Sequence, residues 1–180
     1  QFLMEAVYNG GDEDYALELM TATHDRSWYN MIKVGSTIAM EAWDMQYKPN
    51  SDWNHAWGAA PANIIPRYLW GIQPTAPGFA EVQIYPQLSF LQNSSITVPT
   101  IRGQIIADFT TLSDKTERYT ISVPANMECR FVFDSDKTES VLLNGKMKST
   151  KRGKLKLKPG FNEFEIKRFS LSLLIHLCFG

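Results

Sequence analysis

Apolar residues recur every three to four positions through the first seventy or so residues and at every second position afterwards. The first spacing is that of an amphipathic helix and the second that of a half-buried strand. Asp12, Glu13 and Asp14 precede Tyr15, Leu17, Leu19 and Met20. Acids there satisfy free N–H groups and interact favourably with the positive end of the helix dipole, so a helix is predicted to start at this point. Trp28, Met31 and Ile32 predict a second short helix, stopped at Gly35. A longer helix is predicted over 54–70, with Ile64, Ile65, Tyr68 and Leu69 as its apolar stripe and Gly71 as its stop. Pro61 and Pro66 each remove an N–H and push that helix to kink or restart, so Pro61 is expected near the first turn of its main segment.

Past Pro77 the period is two. Strands are predicted at 81–85, on both sides of Gly103 within 97–109, and at 119–123, 130–133, 140–143, 154–158 and 161–166. Asn144 and Gly145 form a tight-turn signal between two of them. Short strands at this spacing predict an antiparallel β-sandwich. The expected layout is therefore helices over 1–73, a Pro/Gly linker over 74–78, a sandwich over 79–168 and an apolar tail over 169–180. Three or so helices make a poor domain, and their aromatic faces call for more partners than this sandwich offers. The chain opens on QFLM, neither an initiator methionine nor a signal peptide, and its tail is too short to span a bilayer. The expectation is a piece of a larger protein, its tail either a terminal strand or sequence foreign to the native fold.

With 44% apolar and 12% aromatic residues the chain can bury a core and does not resemble a disordered one. A formal charge of −1 gives no electrostatic case for nucleic acid or an anionic membrane as partner. Seven cations lie between Lys146 and Lys158, but their alternation with apolar residues predicts an edge strand with one wet face. Cys129 and Cys178 have no metal-ligand spacing, and reduced, buried thiols are expected over a disulfide between them. His24, Asp25 and His176 lack further ligands at useful spacing, so neither a metal nor a cofactor is expected. Asn93, Ser94 and Ser95 fit a glycosylation acceptor, but equally an ordinary polar turn between strands, which is preferred.

Reactive chemistry concentrates in residues 35–44 (GSTIAMEAWD) and 51–58 (SDWNHAWG). Glu41 and Asp44, three indoles and one of the three histidines fall there. Carboxylates supply the acid–base chemistry of glycoside cleavage, and aromatic faces suit the apolar faces of sugar rings. Each residue also has an ordinary reading. Glu41 alone would be a solvated or paired side chain, His55 a cap, Asp44 a structural acceptor, and Trp43 and Trp57 core. Trp28, Trp53 and Trp70 are assigned to packing. If Glu41 is catalytic, the apolar walls of Met40 and Trp43 predict a raised pKa.

These residues resemble the end of the catalytic domain of family 78 glycoside hydrolases, the α-L-rhamnosidases. The resemblance rests on Ser27, Met31, the two stretches above, and 67–72 (RYLWGI), and it extends through 77–79 and 84–86 of the sandwich. In the family motif, Gly-Ala-Thr-Thr-x-Trp-Glu-x-Trp, Ser36 here replaces the alanine and Met40 the aromatic before the glutamate. Covering roughly 10–168, the resemblance implies the last helices of an (α/α)6 barrel followed by an antiparallel β-sandwich. It implies an inverting hydrolase of terminal α-L-rhamnose, with a rhamnose-containing carbohydrate as substrate and the missing N-terminal part of the barrel as partner. Glu41 matches the general base and His55 a sugar-contacting residue, with Trp43 and Trp57 as candidates for the pocket wall. The general acid lies in the family on earlier loops, and such enzymes are often periplasmic or extracellular. Two alternatives are a non-catalytic carbohydrate-binding or structural sandwich and a different (α/α)6 carbohydrate enzyme.

Overall fold

The computed structural model describes residues 1–113 and 115–169. They form a helical unit, Gln1–Leu69 with Gln87–Phe90, and a β unit, Trp70–Pro86 and the chain from Leu91 onward. This is the expected order of helices followed by a sandwich.

In the helical unit, α1 (Phe2–Asn9) has no counterpart in the sequence reading, because Gln1 offers no side-chain cap to announce it. Its buried Tyr8 stacks on Tyr68, ring centroids 5.9 Å apart. Helix α2 (Glu13–Thr21) starts where the acids predicted it, with Asp12 accepting from the Tyr15 N–H at 3.3 Å. Helix α3 (Trp28–Lys33) is capped by the buried Ser27, which accepts from the Asn30 N–H at 3.1 Å and donates to the His24 carbonyl at 2.6 Å. Gly35, at φ +92°, takes the left-handed conformation that ends this segment. Ile32 is 69% exposed, so α3 buries Met31 and not the full predicted stripe.

The long helix predicted over 54–70 is three short pieces. A 3₁₀ turn over Ala56–Ala59 leads into α4 (Ala60–Ile64), which gives way to a π turn over Ile65–Leu69. Pro61 sits in the first turn of α4, as its missing N–H requires. Pro66 falls where the α ladder ends, since a residue with no N–H cannot continue the i to i−4 pattern.

The β unit contains β1 (Ile72–Pro74), β2 (Glu81–Ile84), β3 (Asn93–Thr100), β4 (Gly103–Ser113) and β5 (Thr116–Val123). It continues with β6 (Glu128–Val132), β7 (Thr138–Leu143), β8 (Lys146–Lys148), β9 (Lys154–Leu157) and β10 (Gly160–Arg168). One sheet has the order β1-β2-β6-β9 and the other β3-β4-β5-β10-β7-β8. Among the described residues all strand pairings are antiparallel except β2 with β6, a crossover that alternation along single strands does not reveal. β9 is the wet edge strand predicted from its lysines, with Leu155 and Leu157 buried between them. Asn144 and Gly145, both at positive φ, turn β7 into β8. Asn93 and Ser94 do not form the preferred turn: they open β3, where Asn93 pairs with Thr110.

Inward-facing residues of both sheets meet in an aromatic core. Phe131 of β6 lies 5.0 Å from Tyr119 of β5 and 4.6 Å from Phe164 of β10. Cys129 is a buried free thiol whose pKa burial pushes up to about 12, which removes its nucleophilic form at neutral pH. The expectations for Cys178, His176 and the tail beyond 169 lie outside the described residues. No described helix is long and apolar enough to cross a membrane.

Phe131→Ala removes the ring that ties the sheets together. It should cost about 3–5 kcal/mol in urea unfolding of the β unit, while Phe161→Ala on the exposed face of β10 should stay within about 0.5 kcal/mol.

Candidate active site

Residues 34–55 contain neither helix nor strand, so their order comes from specific cross-links. The Glu41 N–H donates to the Asp52 carbonyl at 2.8 Å, and the His55 N–H to the Ala39 carbonyl at 2.8 Å. The two stretches therefore run side by side in opposite directions, which brings residues fourteen positions apart in sequence, Glu41 and His55, next to one another. Ser51, buried, accepts from the Ala42 N–H at 3.2 Å. The amide of buried Asn30 donates to the Trp43 carbonyl at 3.0 Å and to Asp44 Oδ2 at 3.2 Å. Asp44 Oδ1 accepts from the Gln46 N–H at 3.2 Å, so Asp44 serves as a structural acceptor, as expected. Gly58 closes the arrangement: a Cβ there would lie 2.2 Å from the Met40 carbonyl oxygen.

Glu41 is half-buried, with its two carboxylate oxygens held differently. Oε1 forms an ion pair with Lys48 Nζ, and Oε2 accepts a long 3.4 Å hydrogen bond from the Asp52 N–H. The Lys48 hydrogen bond, then the Asp52 backbone, lower its pKa from the ordinary 4.5 and outweigh the opposing effect of burial. The raised pKa predicted from Met40 and Trp43 is therefore overturned, because an ammonium on the carboxylate outweighs apolar neighbours. The sign of the pH dependence follows. Whatever stability the pair contributes is present above the ordinary carboxylate range and is lost as pH falls through the lowered pKa.

Donor atoms of Glu41, Asp52 and His55 all lie within 4.8 Å of one another. The cation beside Glu41 in this cluster is the Lys48 ammonium, so the arrangement is that of an ion-paired hydrogen-bonding group.

Glu41, Trp43, His55 and Trp57 all line a single cavity of about 610 Å³ in the helical unit. Trp43 meets Trp28 edge to face at 5.0 Å, and the Trp28 indole N–H donates to the Gly58 carbonyl at 2.6 Å. Trp57 is 87% exposed and stands edge-on to His55 at 6.0 Å. Trp28, assigned to packing from the sequence, also lines this cavity, whereas Trp70 is buried and donates to Ser94 Oγ at 3.1 Å. His24 and Arg26 reach the same cavity, with Arg26 stacked over the Tyr47 ring at 4.7 Å. Lys48, Asp52, His24 and Arg26 were all missed in the sequence. Only Asp52 had a signal, its place within 51–58, whereas Lys48 meets Glu41 through a turn whose path no periodicity encodes.

Two family models match the chain. The bacterial alpha-L-rhamnosidase 6 hairpin glycosidase domain covers residues 1–69, and the bacterial alpha-L-rhamnosidase C-terminal domain covers 71–148. An alpha-L-rhamnosidase of Alteromonas sp. (strain LOR) is 28% identical in an alignment 177 residues long that covers 91% of this chain and 18% of that protein. The alpha-L-rhamnosidase structure from Dictyoglumus thermophilum superposes with a TM-score of 0.77 at 17% identity, over 91% of this chain and 20% of its own. That of the Streptomyces avermitilis alpha-L-rhamnosidase complexed with L-rhamnose gives 0.76 at 22% identity, over 92% of this chain and 17% of its own. The chain thus spans about a fifth of the length of the relatives it matches.

Gly58→Ala should force the Met40 carbonyl away and open the loop pairing. A loss of roughly 1–3 kcal/mol in stability, read by thermal unfolding, is the expected result.

Proposed function

As this chain belongs to the bacterial α-L-rhamnosidase family, we propose that it supplies the general-base side of a glycoside hydrolase site that releases terminal α-L-rhamnose with inversion. The observation that carries this reading is the convergence of Glu41, His55 and Trp43 on one cavity. Glu41, ionised at neutral pH, accepts a proton from a water that attacks the anomeric carbon. The His55 imidazole offers hydrogen bonds to sugar hydroxyls, and Trp43 and Trp57 offer apolar walls to the ring.

Inversion needs a second carboxyl group about 6.5–9.5 Å from the base, across the sugar. Asp52 does not meet that need, because its carboxylate lies within 4.8 Å of that of Glu41. Asp44 is tied to Asn30 and Gln46. The acid is therefore assigned to the rest of the barrel, the partner of this helical unit. Support comes from the apolar side chains that the unit leaves in water, among them Phe2 and Leu3, 84% and 62% exposed. Such a surface is normally covered. By itself the chain should be inactive, since one carboxyl group cannot serve as acid and base on opposite faces of a sugar.

Glu41→Gln in the full-length protein should lower kcat on an aryl α-L-rhamnoside by about 10²–10⁴-fold with the thermal unfolding midpoint unchanged. Normal turnover in that variant would end the assignment. The 180-residue chain assayed alone should release no product.

A further inference from the structure

Lys48 lies in the segment between the two motif stretches, and it is held there by its backbone as well as its side chain. The Lys48 carbonyl accepts from the Ser51 N–H at 2.9 Å, and Ser51 Oγ in turn accepts from the Ala42 N–H, next to Glu41. The turn before it is closed by the Tyr47 N–H donating to the Asp44 carbonyl at 3.1 Å, while Asp44 is bound by Asn30 of α3. The lysine is thus anchored at both ends, and its ammonium reaches Glu41 Oε1.

We propose that Lys48 is a positioning residue for Glu41, clamping one carboxylate oxygen while the Asp52 backbone N–H holds the other, so that the carboxylate plane is fixed toward the cavity. The inference rests on the reading of Glu41 as general base and names a residue that sets its orientation and charge. A carboxylate on a flexible side chain otherwise samples several rotamers, and misplacement by about 1 Å costs on the order of a hundredfold in rate.

Lys48 also offsets the burial of Glu41. The charged and titratable groups facing Glu41 are the Asp52 carboxylate and the His55 imidazole, with His24 and Arg26 elsewhere on the cavity. Burial of Glu41 works against its ionised form. Lys48 supplies the compensation by direct contact, and the lowered pKa of Glu41 has the Lys48 hydrogen bond as its first cause. The lysine keeps its own proton throughout. Only Glu41 gains one, from the attacking water, and loses it to solvent afterwards.

The test is a pH–rate series on the full-length protein with Lys48→Met, Lys48→Gln, Lys48→Arg and Glu41→Gln. Lys48→Met should lower kcat by roughly tenfold or more, leave KM within about twofold, and move the acidic limb of kcat/KM to higher pH. Lys48→Gln, which keeps a donor but no charge, should move the limb in the same direction, and Lys48→Arg should return it toward the wild-type position. If Lys48→Met fails to fold, the comparison of Lys48→Gln with Lys48→Arg decides alone. Neutral variants that keep the wild-type limb, whether active or uniformly weakened, overturn the inference and reduce Lys48 to a structural clip. An inactive Glu41→Gln with an unmoved limb in the Lys48 variants overturns only the role of Lys48. An active Glu41→Gln overturns the base assignment, and this inference with it.

Discussion

Two backbone hydrogen bonds, from Glu41 to Asp52 and from His55 to Ala39, pair the two stretches on which this site is built. They run through a stretch with no regular secondary structure, so no ladder shares their load. With them in place, Gly58 can approach the Met40 carbonyl, Ser51 can reach Ala42, and Glu41, Asp52 and His55 form one cluster. The motif is conspicuous in sequence because each position answers to this pairing. Ser27 caps the helix that presents Asn30, Asn30 pins the Trp43 backbone, and Gly58 leaves room for a carbonyl where any side chain would collide. Loops held this tightly can carry catalytic groups that would wander on looser ones.

Much of the fold was legible because periodicity, caps and turn residues each leave a local mark. The acids at 12–14, Pro61, Gly35, and Asn144 with Gly145 all act within a few residues of themselves, and the structure uses each as read. Features set by distant chain were not legible. The parallel pairing of β2 with β6 and the use of Asn93 as the start of a strand depend on which segments become neighbours. Helix α1 has no side-chain cap to announce it, whereas the break of the 56–69 segment into 3₁₀, α and π turns falls at the two prolines, Pro61 and Pro66, that the sequence marked as places to kink or restart.

The candidate site divides in the same way. Glu41, Trp43, His55 and Trp57 were identified from residue type and from resemblance, and all four line one cavity. The electrostatics of Glu41 were read with the wrong sign. Apolar neighbours in sequence suggested desolvation, but the nearest group in space is an ammonium seven positions away, and it holds the carboxyl down. Sequence neighbours describe what flanks a side chain along the backbone, whereas a pKa answers to what touches its end. For the proposed base this matters: a carboxylate that stays ionised is always ready to receive a proton, and it depends on orientation more than on basicity for its effect.

The same geometry separates two stereochemical outcomes. Glu41 and Asp52 are closer together than an inverting pair, whose carboxyl groups stand about 6.5–9.5 Å apart, so inversion requires a distant acid from elsewhere in the barrel. Proton NMR of the first sugar released by the full-length protein from an aryl α-L-rhamnoside, recorded before mutarotation, distinguishes the cases. Appearance of β-L-rhamnose first is the expected result for Glu41 activating water opposite a separate acid. Release of the α-anomer first would contradict it.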